Sequence, residues 1–593
     1  MARHRLLDIV DFPSLVDYLA DELEWPIDEE AFDDLDALAF DYSPEELSLP
    51  EEVCAKVRSI KQMRPLDTRQ PWAVFYIEFE AKRLPVTVLR RVLNRFVEKK
   101  RANVPDRATW KMQDLLFVNA HGTGEDRGIT FAHFSKPDSG YTEVLREFMW
   151  TRRETHFSHV DKYVHCLQWP RDGISQKDWR EQWRSAFVGS KRKAIQTSRE
   201  LAEEMAHFAR EVRLRVTEVL EITRTSSSDP LQKLYAAFRS LLVHDLSPED
   251  FADTYAQTMA YGLFAARAAH PDEPFQLKDA PERVPPTNPF LKGLFAQCFG
   301  LASVGGGKID TEELALGRLV ELFVSLQPED MQRILDEFGS QTGDPVIHFY
   351  ESFLAAYDRR RKVERGVFYT PQPVVSFIVR SVHEALQRDF GLEDGLADTA
   401  TWGDMKQRFP DLALPAGATK KTPFINILDP ATGTATFLVE VIDVIHATLK
   451  NKWNEQQMSE AQQQAMWNRY VRDHLLARLH GFELMMAPYT IAHMKIGLKL
   501  RETGFTAWEK LGKKDRVRVY LTNALEETMD PGEFLAETAP ALAHETEQAN
   551  AAKRDVPVTV VIGNPPYSGH SANDSEWSAK LLRGGVEPAA KYF

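Results

Sequence analysis

Four consecutive residues near the end of the chain, Asn564, Pro565, Pro566 and Tyr567, have acceptor groups that can hold an amine. They follow the run VTVVIG, whose β-branched residues predict a buried strand, so we expect them at its carboxyl end. Two prolines in a row restrict the backbone, which allows the Asn564 amide oxygen and the Pro565 carbonyl oxygen to converge. Two such acceptors suit an amine that donates two hydrogen bonds, and a plain turn is the alternative interpretation.

A second stretch, residues 423–443, predicts a strand, a tight turn and a helix in succession. PFINIL is apolar and β-prone, the small residues of PATGTA allow a sharp turn, and apolar residues then recur at helical spacing. In units of this kind a ligand binds at the carboxyl end of the strand, and a β–α turn without a ligand is the alternative. The candidate ligand-binding residues are Asp429, Pro430, Ala431, Thr432, Gly433, Thr434 and Phe437.

Two further strand ends follow along the chain. HGFELM places Glu483 after a short strand-like run, where an acidic residue accepts hydrogen bonds from ribose hydroxyls in dinucleotide-binding proteins. A solvated loop carboxylate is the alternative for this residue. VRVYLTN predicts another strand, which ends at Thr522 and Asn523.

These stretches, preceded by GVFYTP at 366–371, resemble the N6-adenine DNA methyltransferases of the type ISP and type IIL restriction–modification and phage-defence families. The resemblance covers about 345–570 and implies a Rossmann-like α/β core that binds S-adenosylmethionine (SAM). It also implies transfer of the SAM methyl group to an adenine flipped out of double-stranded DNA. The family motif Asp-Pro-Ala-x-Gly-Thr-Gly ends here in Ala435 rather than glycine, which we expect to tighten the turn slightly.

Under this resemblance the catalytic residues are Asn564, Pro565, Pro566 and Tyr567, and the Tyr567 ring stacks on the flipped base. With both amine protons held, the nitrogen lone pair is directed at the SAM methyl group, so positioning and electrostatics suffice without a strong base. Two alternatives stay open. Another amine, in a protein glutamine or an RNA guanine, offers the same two hydrogens. A non-catalytic DNA-binding or assembly subunit with a methyltransferase fold is the other.

The resemblance assigns the cofactor site as well. Asp429 and the turn after it bind the amino-acid end of SAM, Glu483 binds its ribose, and Asn523 binds its adenine. Phe368 and Thr370 close over its methionine part, and Tyr369 between them is a further cofactor-binding residue. Thr370 followed by proline is alternatively the start of a helix.

The pattern along the whole chain predicts four segments. They are an acidic helical N-terminal segment (1–60), a small α/β module (61–135), a helical coupler-like domain (136–345) and a SAM-dependent methyltransferase core (346–593). The predicted fold class is therefore α/β, with the methyltransferase core preceded by a helical region and an N-terminal α/β module.

The N-terminal module contains a second candidate site. Asp67, Glu80 and Lys82 resemble the Asp…Glu-x-Lys pattern of metal-dependent DNA nucleases, whose carboxylates bind Mg²⁺ while the lysine steadies the attacking water. A structural strand is the alternative, because one strand with Glu-x-Lys often arises by chance. We therefore expect Mg²⁺ only if this module cleaves DNA, and no metal in the methyltransferase core.

Composition limits the remaining possibilities. Of 593 residues, 43% are hydrophobic and 27% charged, which is ordinary for a globular protein of several domains. No apolar stretch is long enough to span a bilayer, no signal peptide is evident, and the three cysteines lack metal-ligand spacing. These features predict a cytoplasmic protein without a membrane partner. The net charge of −15 argues against a general nucleic-acid coat protein, although local basic patches can still bind DNA.

The stretch after Tyr567 is short compared with what the resemblance implies. Members of the family build a seven-stranded sheet, in which Asn-Pro-Pro-Tyr ends the fourth strand in chain order. Only 26 residues, 568–593, follow Tyr567, too few for three more strands and a target-recognition domain. We therefore expect the sheet to be truncated in this chain, and a second polypeptide or another defence-system subunit to supply the rest.

Overall fold

The computed structural model describes residues 6, 9–27, 38–43, 51–80, 88–89, 92, 114–122, 128–135, 144–151, 163–171, 173–187, 195–276, 279–284, 288–299, 309–311, 313–340, 345–358, 370–415, 417–511, 516–528 and 530–565. The chain divides into two compact units. The first comprises Met1–Ala194 and Thr311–Arg318, and the second comprises Ile195–Asp310 and Leu319–Phe593. Within the described ranges, no helix has both the length and the apolar composition needed to cross a membrane.

In its described residues, the first unit contains a mixed sheet of six strands, which lie side by side in chain order. The strands are Ala39–Tyr42 (β1), Val57–Met63 (β2), Ala73–Phe79 (β3), Leu115–His121 (β4), Gly128–Ser135 (β5) and Val144–Thr151 (β6). β3 and β4 are parallel, and every other neighbouring pair is antiparallel. A parallel pair needs a crossover connection. The crossover here includes Leu89 and Val92, which are helical and buried.

This sheet corrects two of the predicted segment boundaries. β1 lies within 1–60, which the sequence predicts to be helical, and the boundary between residues 60 and 61 falls inside β2. Residues 144–151, predicted to belong to a helical domain, form β6 and pair with β5 along its whole length. Strand pairing decides these cases, because the apolar patterns of short strands and short helices are alike in sequence.

The core of the first unit joins helix α1 to this sheet. The helices are Phe12–Leu23 (α1), Glu51–Cys54 (α2) and Gln176–Ser185 (α3), with a 3₁₀ turn at His165–Leu167. Leu15 and Leu19 lie on one face of α1 and belong to the same buried cluster as Tyr76 of β3. That cluster also contains Trp25 and Trp183, whose rings stack with their centroids 5.2 Å apart. α1 is therefore part of the core of this module.

The second unit begins with helices, one of which, Leu316–Ser325, starts in the last residues assigned to the first unit. They are Ser198–Ile222 (α4), Pro230–Leu241 (α5), Pro248–Ala269 (α6), Ala280–Arg283 (α7), Pro289–Phe299 (α8), Leu316–Ser325 (α9), Pro328–Ser340 (α10), Pro345–Tyr357 (α11), Gln372–Phe390 (α12) and Trp402–Arg408 (α13). The side chains of Thr197, Asp229 and Ser247 accept hydrogen bonds from the first free backbone N–H groups of α4, α5 and α6. The predicted helical region is therefore helical from α4 onward.

Four parallel strands of the described chain form a sheet after these helices. Its strands are Ile427–Asp429 (β7), Leu479–Glu483 (β8), Arg518–Leu521 (β9) and Val560–Val561 (β10), in the order β10-β7-β8-β9. The connecting helices are Thr436–Glu455 (α14), Glu460–Tyr470 (α15), Leu476–Arg478 (α16), Met486–Glu502 (α17), Gly532–Thr538 (α18) and Pro540–Asp555 (α19), with a π-helical turn at Val471–Leu475. β10 is thus the fourth strand of this sheet in chain order, as the sequence predicts.

A buried polar network ties the helices to this sheet. The Arg516 guanidinium forms two hydrogen bonds, 2.7 and 2.9 Å long, with the carboxylate of Glu545 on α19. One oxygen of Glu545 also accepts from the Tyr489 hydroxyl (3.1 Å) and from the Leu521 N–H at the end of β9 (3.2 Å). Tyr489 lies 3.3 Å from the amide oxygen of Asn288, the residue before α8. The two charged side chains are nearly inaccessible to solvent, so each is stabilised by the other.

Helices α8 and α19 also approach each other closely at Gly293. A Cβ added to Gly293 would lie 2.5 Å from the Cβ of Ala541, which has no side-chain torsion to move out of the way. We expect Gly293→Ala to lower the free energy of unfolding, because overpacking costs about 1–3 kcal/mol and exceeds the helix-propensity gain of about 1 kcal/mol. Gly497→Ala is the matched control, since Gly497 lies inside α17 with open space at its Cβ position. Urea denaturation should show the control to be at least as stable as wild type; equal gains in both variants would contradict the close contact.

Candidate functional site

The predicted residues converge at the carboxyl ends of the parallel strands. β7 ends at Asp429 and β8 ends at Glu483, while β9 runs into Asn523 and β10 into Gly563 and Asn564. The chain places β8 and β9 on one side of β7 and then returns to place β10 on the other side. In parallel α/β sheets, ligands bind at the carboxyl ends of strands where the strand order reverses in this way. The gap between the ends of β7 and β10 is therefore the candidate site.

The turn after β7 has the conformation that the small residues predict. Gly433 and Ala435 both adopt the left-handed backbone conformation, with φ of 54° and 65°. For alanine this conformation costs roughly 1–2 kcal/mol, so Ala435 keeps a glycine-like turn under strain. Thr432 holds the turn in place, because its N–H donates to the Phe482 carbonyl and its hydroxyl donates to the Asp429 carbonyl, each over 2.9 Å.

Glu483 connects this turn to β8. Its Oε2 accepts a hydrogen bond from the Gly433 N–H and its Oε1 accepts one from the Met485 N–H, both 2.8 Å long. Glu483 is therefore an organised part of the site rather than a solvated loop carboxylate. The Leu484 N–H is a third backbone donor to this carboxylate, which has about four acceptor positions in all, and contact with ribose hydroxyls stays a prediction.

Two glycines that the sequence analysis did not single out allow these elements to approach. A Cβ at Gly481 would lie 2.4 Å from the Thr432 hydroxyl oxygen, and a Cβ at Gly563 would lie 2.5 Å from Asp429 Oδ1. Any side chain at either position would displace the turn after β7. The sequence contained a signal for both positions, because a glycine inside a strand-like run often marks a place where another part of the chain comes close to the backbone.

The end of β10 meets the segment before α12. The Asn564 amide nitrogen, Nδ2, donates a hydrogen bond of 2.9 Å to the hydroxyl oxygen of Thr370. The structure therefore brings together two predicted site residues that are 194 positions apart in the chain. Pro565 is exposed beside Asn564. The predicted residues Phe368, Tyr369, Pro566 and Tyr567 lie outside the described part of the chain.

Asn523 is placed at the same edge of the sheet but is engaged locally. Its side chain is buried, and its Oδ1 accepts a hydrogen bond from the Leu525 N–H. The Lys553 ammonium on α19 donates to the Asn523 carbonyl (2.6 Å) and the Glu526 carbonyl (3.2 Å), and burial lowers the pKa of Lys553 to about 8. Asn523 thus shapes the loop after β9, and contact with a cofactor adenine stays a prediction.

Among the predicted cofactor residues, Phe437 is a core side chain, whereas two others carry buried polar atoms without a partner. Phe437 is only 4% exposed on α14. Asp429 and Thr434 are 1% and 5% exposed, and in the described part of the chain neither Asp429 Oδ2 nor the Thr434 hydroxyl oxygen has a hydrogen-bond partner. The Asp429 oxygen can accept a hydrogen bond and the Thr434 hydroxyl can donate or accept one, so both atoms are available to a polar ligand.

The charge state of the site depends on two carboxyl groups close together. Burial raises the pKa of Asp429 to about 7; the Ala431 N–H hydrogen bond opposes this shift and the negative charge of Glu483 adds to it. Burial also raises the pKa of Glu483, against hydrogen bonds from the Met485 and Gly433 N–H groups. The pKa of each group is raised to about 7, and Glu483 accepts more backbone hydrogen bonds, which favour its charged form, so we expect Asp429 to hold the proton of the pair.

This arrangement predicts a pH dependence of stability without a ligand. The raised pKa of Asp429 contributes stability that is fully present below the unfolded pKa of about 4 and is lost as pH rises through about 7. The free energy of unfolding should therefore fall between about pH 4 and pH 7, by roughly 1.4 kcal/mol per pKa unit of the shift, and Glu483, whose pKa is also raised to about 7, adds to the same slope. Asp429→Asn, which stays neutral, should flatten this slope in urea denaturation. Asp411→Asn, at an exposed position, is the control, and identical slopes in wild type and Asp429→Asn would contradict the prediction.

The nuclease candidates of the first unit do not assemble into a metal site in the described residues. Asp67 is held by Arg69, whose guanidinium forms two hydrogen bonds to its carboxylate and lowers its pKa to about 2. Glu80 is exposed just after β3 and lies 3.7 Å from Arg58, while Lys82 is outside the described ranges. No group of three His, Cys, Asp or Glu side chains that could hold a metal occurs in the part of the chain that is described.

Comparisons with known proteins give only distant similarities. No protein-family model and no curated protein matches this chain. Among solved structures, it is similar to a nuclease-deletion mutant of the Type ISP restriction-modification enzyme LlaGI in complex with a DNA substrate mimic, with 17% identity and a TM-score of 0.38 over 70% of this chain. The DrdV–DNA complex gives 16% identity and a TM-score of 0.35 over 89% of this chain. The ATP-dependent Type ISP restriction-modification enzyme LlaBIII bound to DNA gives 19% identity and a TM-score of 0.38 over 70% of this chain.

This chain spans 27%, 40% and 24% of the lengths of those three chains. Likeness at these TM-scores does not define a common fold.

Proposed function

We propose that this protein is a SAM-dependent methyltransferase that methylates the exocyclic amine of adenine in double-stranded DNA. The observation that carries the proposal is the meeting of three predicted stretches at one sheet edge. Asp429 ends β7 and lies beside Gly563. Asn564 comes directly after Gly563, beyond the end of β10, and its amide group is hydrogen-bonded to Thr370. A cofactor stretch and an amine-binding stretch at the same switch point are what a group-transfer enzyme needs.

The residues at the end of β7 fit the polar groups of SAM. SAM carries an ammonium group, which can donate to the unpartnered Asp429 Oδ2 once the Asp429 carboxyl group has lost its proton, and a carboxylate, which can accept from the unpartnered Thr434 hydroxyl. Glu483 retains acceptor positions for the ribose hydroxyls. When bound, SAM supplies an electrophilic methyl group on a positively charged sulfur, and a negatively charged edge of the sheet suits that charge.

The residues after β10 suit the amine. Asn564 Oδ1 and the Pro565 carbonyl oxygen are acceptors, and holding both amine protons directs the nitrogen lone pair to the methyl group. No strong base is required for the attack, because the positioned acceptors stabilise the positive charge that develops on the amine. The new N–C bond would form as the S–C bond breaks, the sulfur would leave as a neutral thioether, and the methylated amine would release one proton to water. The stacking role of Tyr567 and the double-stranded DNA substrate belong to the same proposal, and they derive from the resemblance of the sequence stretches. A place in a restriction–modification or phage-defence system is proposed on the same ground.

Two measurements test this function. Calorimetry should detect SAM binding by the wild-type protein and a loss of affinity in Asp429→Ala. Transfer of a tritiated methyl group from SAM should then be compared in parallel for DNA, RNA and protein, with the DNA product analysed for N6-methyladenine. SAM binding without transfer to any of the three would favour a non-catalytic subunit. If the label appeared in protein glutamine or in RNA guanine, that group would replace adenine as the substrate. Unchanged SAM affinity in Asp429→Ala would place the cofactor site elsewhere in the protein.

A further inference from the structure

Helices α12 and α14 both begin at the candidate site. α14 starts at Thr436, directly after the turn that follows β7, and α12 starts at Gln372, two residues after Thr370. The sequence resemblance assigns that turn to the amino-acid end of SAM and Thr370 to its methionine part. The two segments that would hold the cofactor are therefore continuous with two helices, and their relative position depends on how those helices are joined.

A hydrogen bond between two side chains joins the first turns of these helices. Gln372 Nε2 donates to Glu440 Oε2 over 2.6 Å, across 68 positions of the chain. Glu440 is the fifth residue of α14 and is only 7% exposed. An ionised carboxylate only accepts hydrogen bonds, so chemistry fixes the direction of this bond, and the amide nitrogen of Gln372 must face Glu440.

The place of this bond within α12 matters for the site. Val375 and Val379 are buried, so apolar packing holds the helix, but apolar contacts have no preferred direction. The capping position is Pro371, and no side chain of the described chain caps the first turn, so Thr370 is not a helix cap. The bond from Gln372 is directional and lies at the end of α12 that carries Thr370. It therefore fixes the start of α12 relative to α14.

We propose that Gln372 and Glu440 are positioning residues for the cofactor, whose hydrogen bond holds the segment before α12 in register with the turn after β7 so that both can contact SAM. This inference rests on the proposed function and adds two residues to it. Neither side chain needs to touch SAM, because each acts through the segment that precedes its helix. A site whose two halves are already ordered binds its ligand more tightly, since less ordering is left to the binding step.

Gln372→Met tests the inference, because methionine keeps the length of the glutamine side chain and lacks the amide. We expect the Kd of SAM in calorimetry to rise about 10-fold, the order expected for losing one hydrogen bond to a charged group. The kcat for methyl transfer at saturating SAM should stay within about 2-fold of wild type, because the pair does not touch the reacting atoms. Gln407→Met, at an exposed position on α13, is the matched control and should bind SAM as wild type does.

Exchanging the two side chains tests the pair rather than either residue alone. Gln372→Glu brings two carboxylates together and should weaken SAM binding more than Gln372→Met does, although a negative charge in the first turn of a helix is otherwise favourable. The double variant Gln372→Glu with Glu440→Gln restores the hydrogen bond with donor and acceptor reversed. Its Kd for SAM should return to within about 3-fold of wild type, and a double variant as weak as Gln372→Glu would overturn the inference.

The inference and the proposed function can fail separately. Equal SAM affinity in wild type and Gln372→Met, or a lower kcat without a change in affinity, would overturn the inference alone. No SAM binding by wild type would overturn both. Hydrogen exchange without SAM gives a further measurement: backbone amides of residues 374–379 should exchange faster in Gln372→Met than in wild type, and equal exchange would show that the bond does not hold the start of α12 and would overturn the inference.

Discussion

Replacing Asn564 with alanine is expected to lower the rate of methyl transfer to adenine by about 10²–10³-fold, while SAM still binds with wild-type affinity. Alanine removes one of the two acceptors for the amine, and losing one positioned hydrogen-bonding group at a reacting centre typically has an effect of this size. The fold should persist, because Asn564 is partly exposed at the end of an edge strand. Single-turnover transfer of a labelled methyl group and SAM calorimetry measure the two quantities separately.

The control for this experiment is Asn451→Ala, at an exposed position on α14, which should leave both quantities unchanged. The prediction requires that the methyl-transfer rate falls while the affinity for SAM stays unchanged. If Asn564→Ala lost SAM affinity in proportion to rate, Asn564 would belong to the cofactor site. If the rate were unchanged, the Asn-Pro-Pro-Tyr stretch would have no part in the chemistry.

The largest expected effect on stability is at Glu545. Glu545→Ala leaves the buried Arg516 guanidinium without its carboxylate, and an uncompensated buried charge costs roughly 3–5 kcal/mol of unfolding free energy. The same change removes the acceptor for the Tyr489 hydroxyl and the Leu521 N–H. We therefore expect a marked loss of stability in urea denaturation, together with loosening of the loop that follows β9.

Two variants show whether charge burial is the cause. Glu547→Ala, on the exposed side of α19, should change the unfolding free energy by less than about 0.5 kcal/mol. Replacing both Arg516 and Glu545 by apolar residues of similar volume should recover much of the loss, because no buried charge is then left unpaired. A double variant as unstable as Glu545→Ala would point instead to the hydrogen bonds of Tyr489 and Leu521.

Much of the candidate site could be predicted from local patterns. The strand, small-residue turn and helix around Asp429 depend on residues close together in the chain, and so does the strand before Asn564. The N-terminal unit shows the limit of such patterns. Residues 144–151 form a strand because β5 pairs with them, and the alternation of apolar residues within so short a segment does not identify that pairing.

The sequence by itself determined the residue types at the site, the strands that carry them and the order of the strands along the chain. The tertiary structure alone decided which of these residues meet. Thr370 reaches Asn564 across 194 positions, and Gly563 is a glycine because Asp429 lies against it. The physical reason is that turns and helix starts are governed by neighbouring backbone groups, whereas hydrogen bonds between distant side chains depend on strand order and register. Those are set by packing of the whole unit rather than by any one stretch.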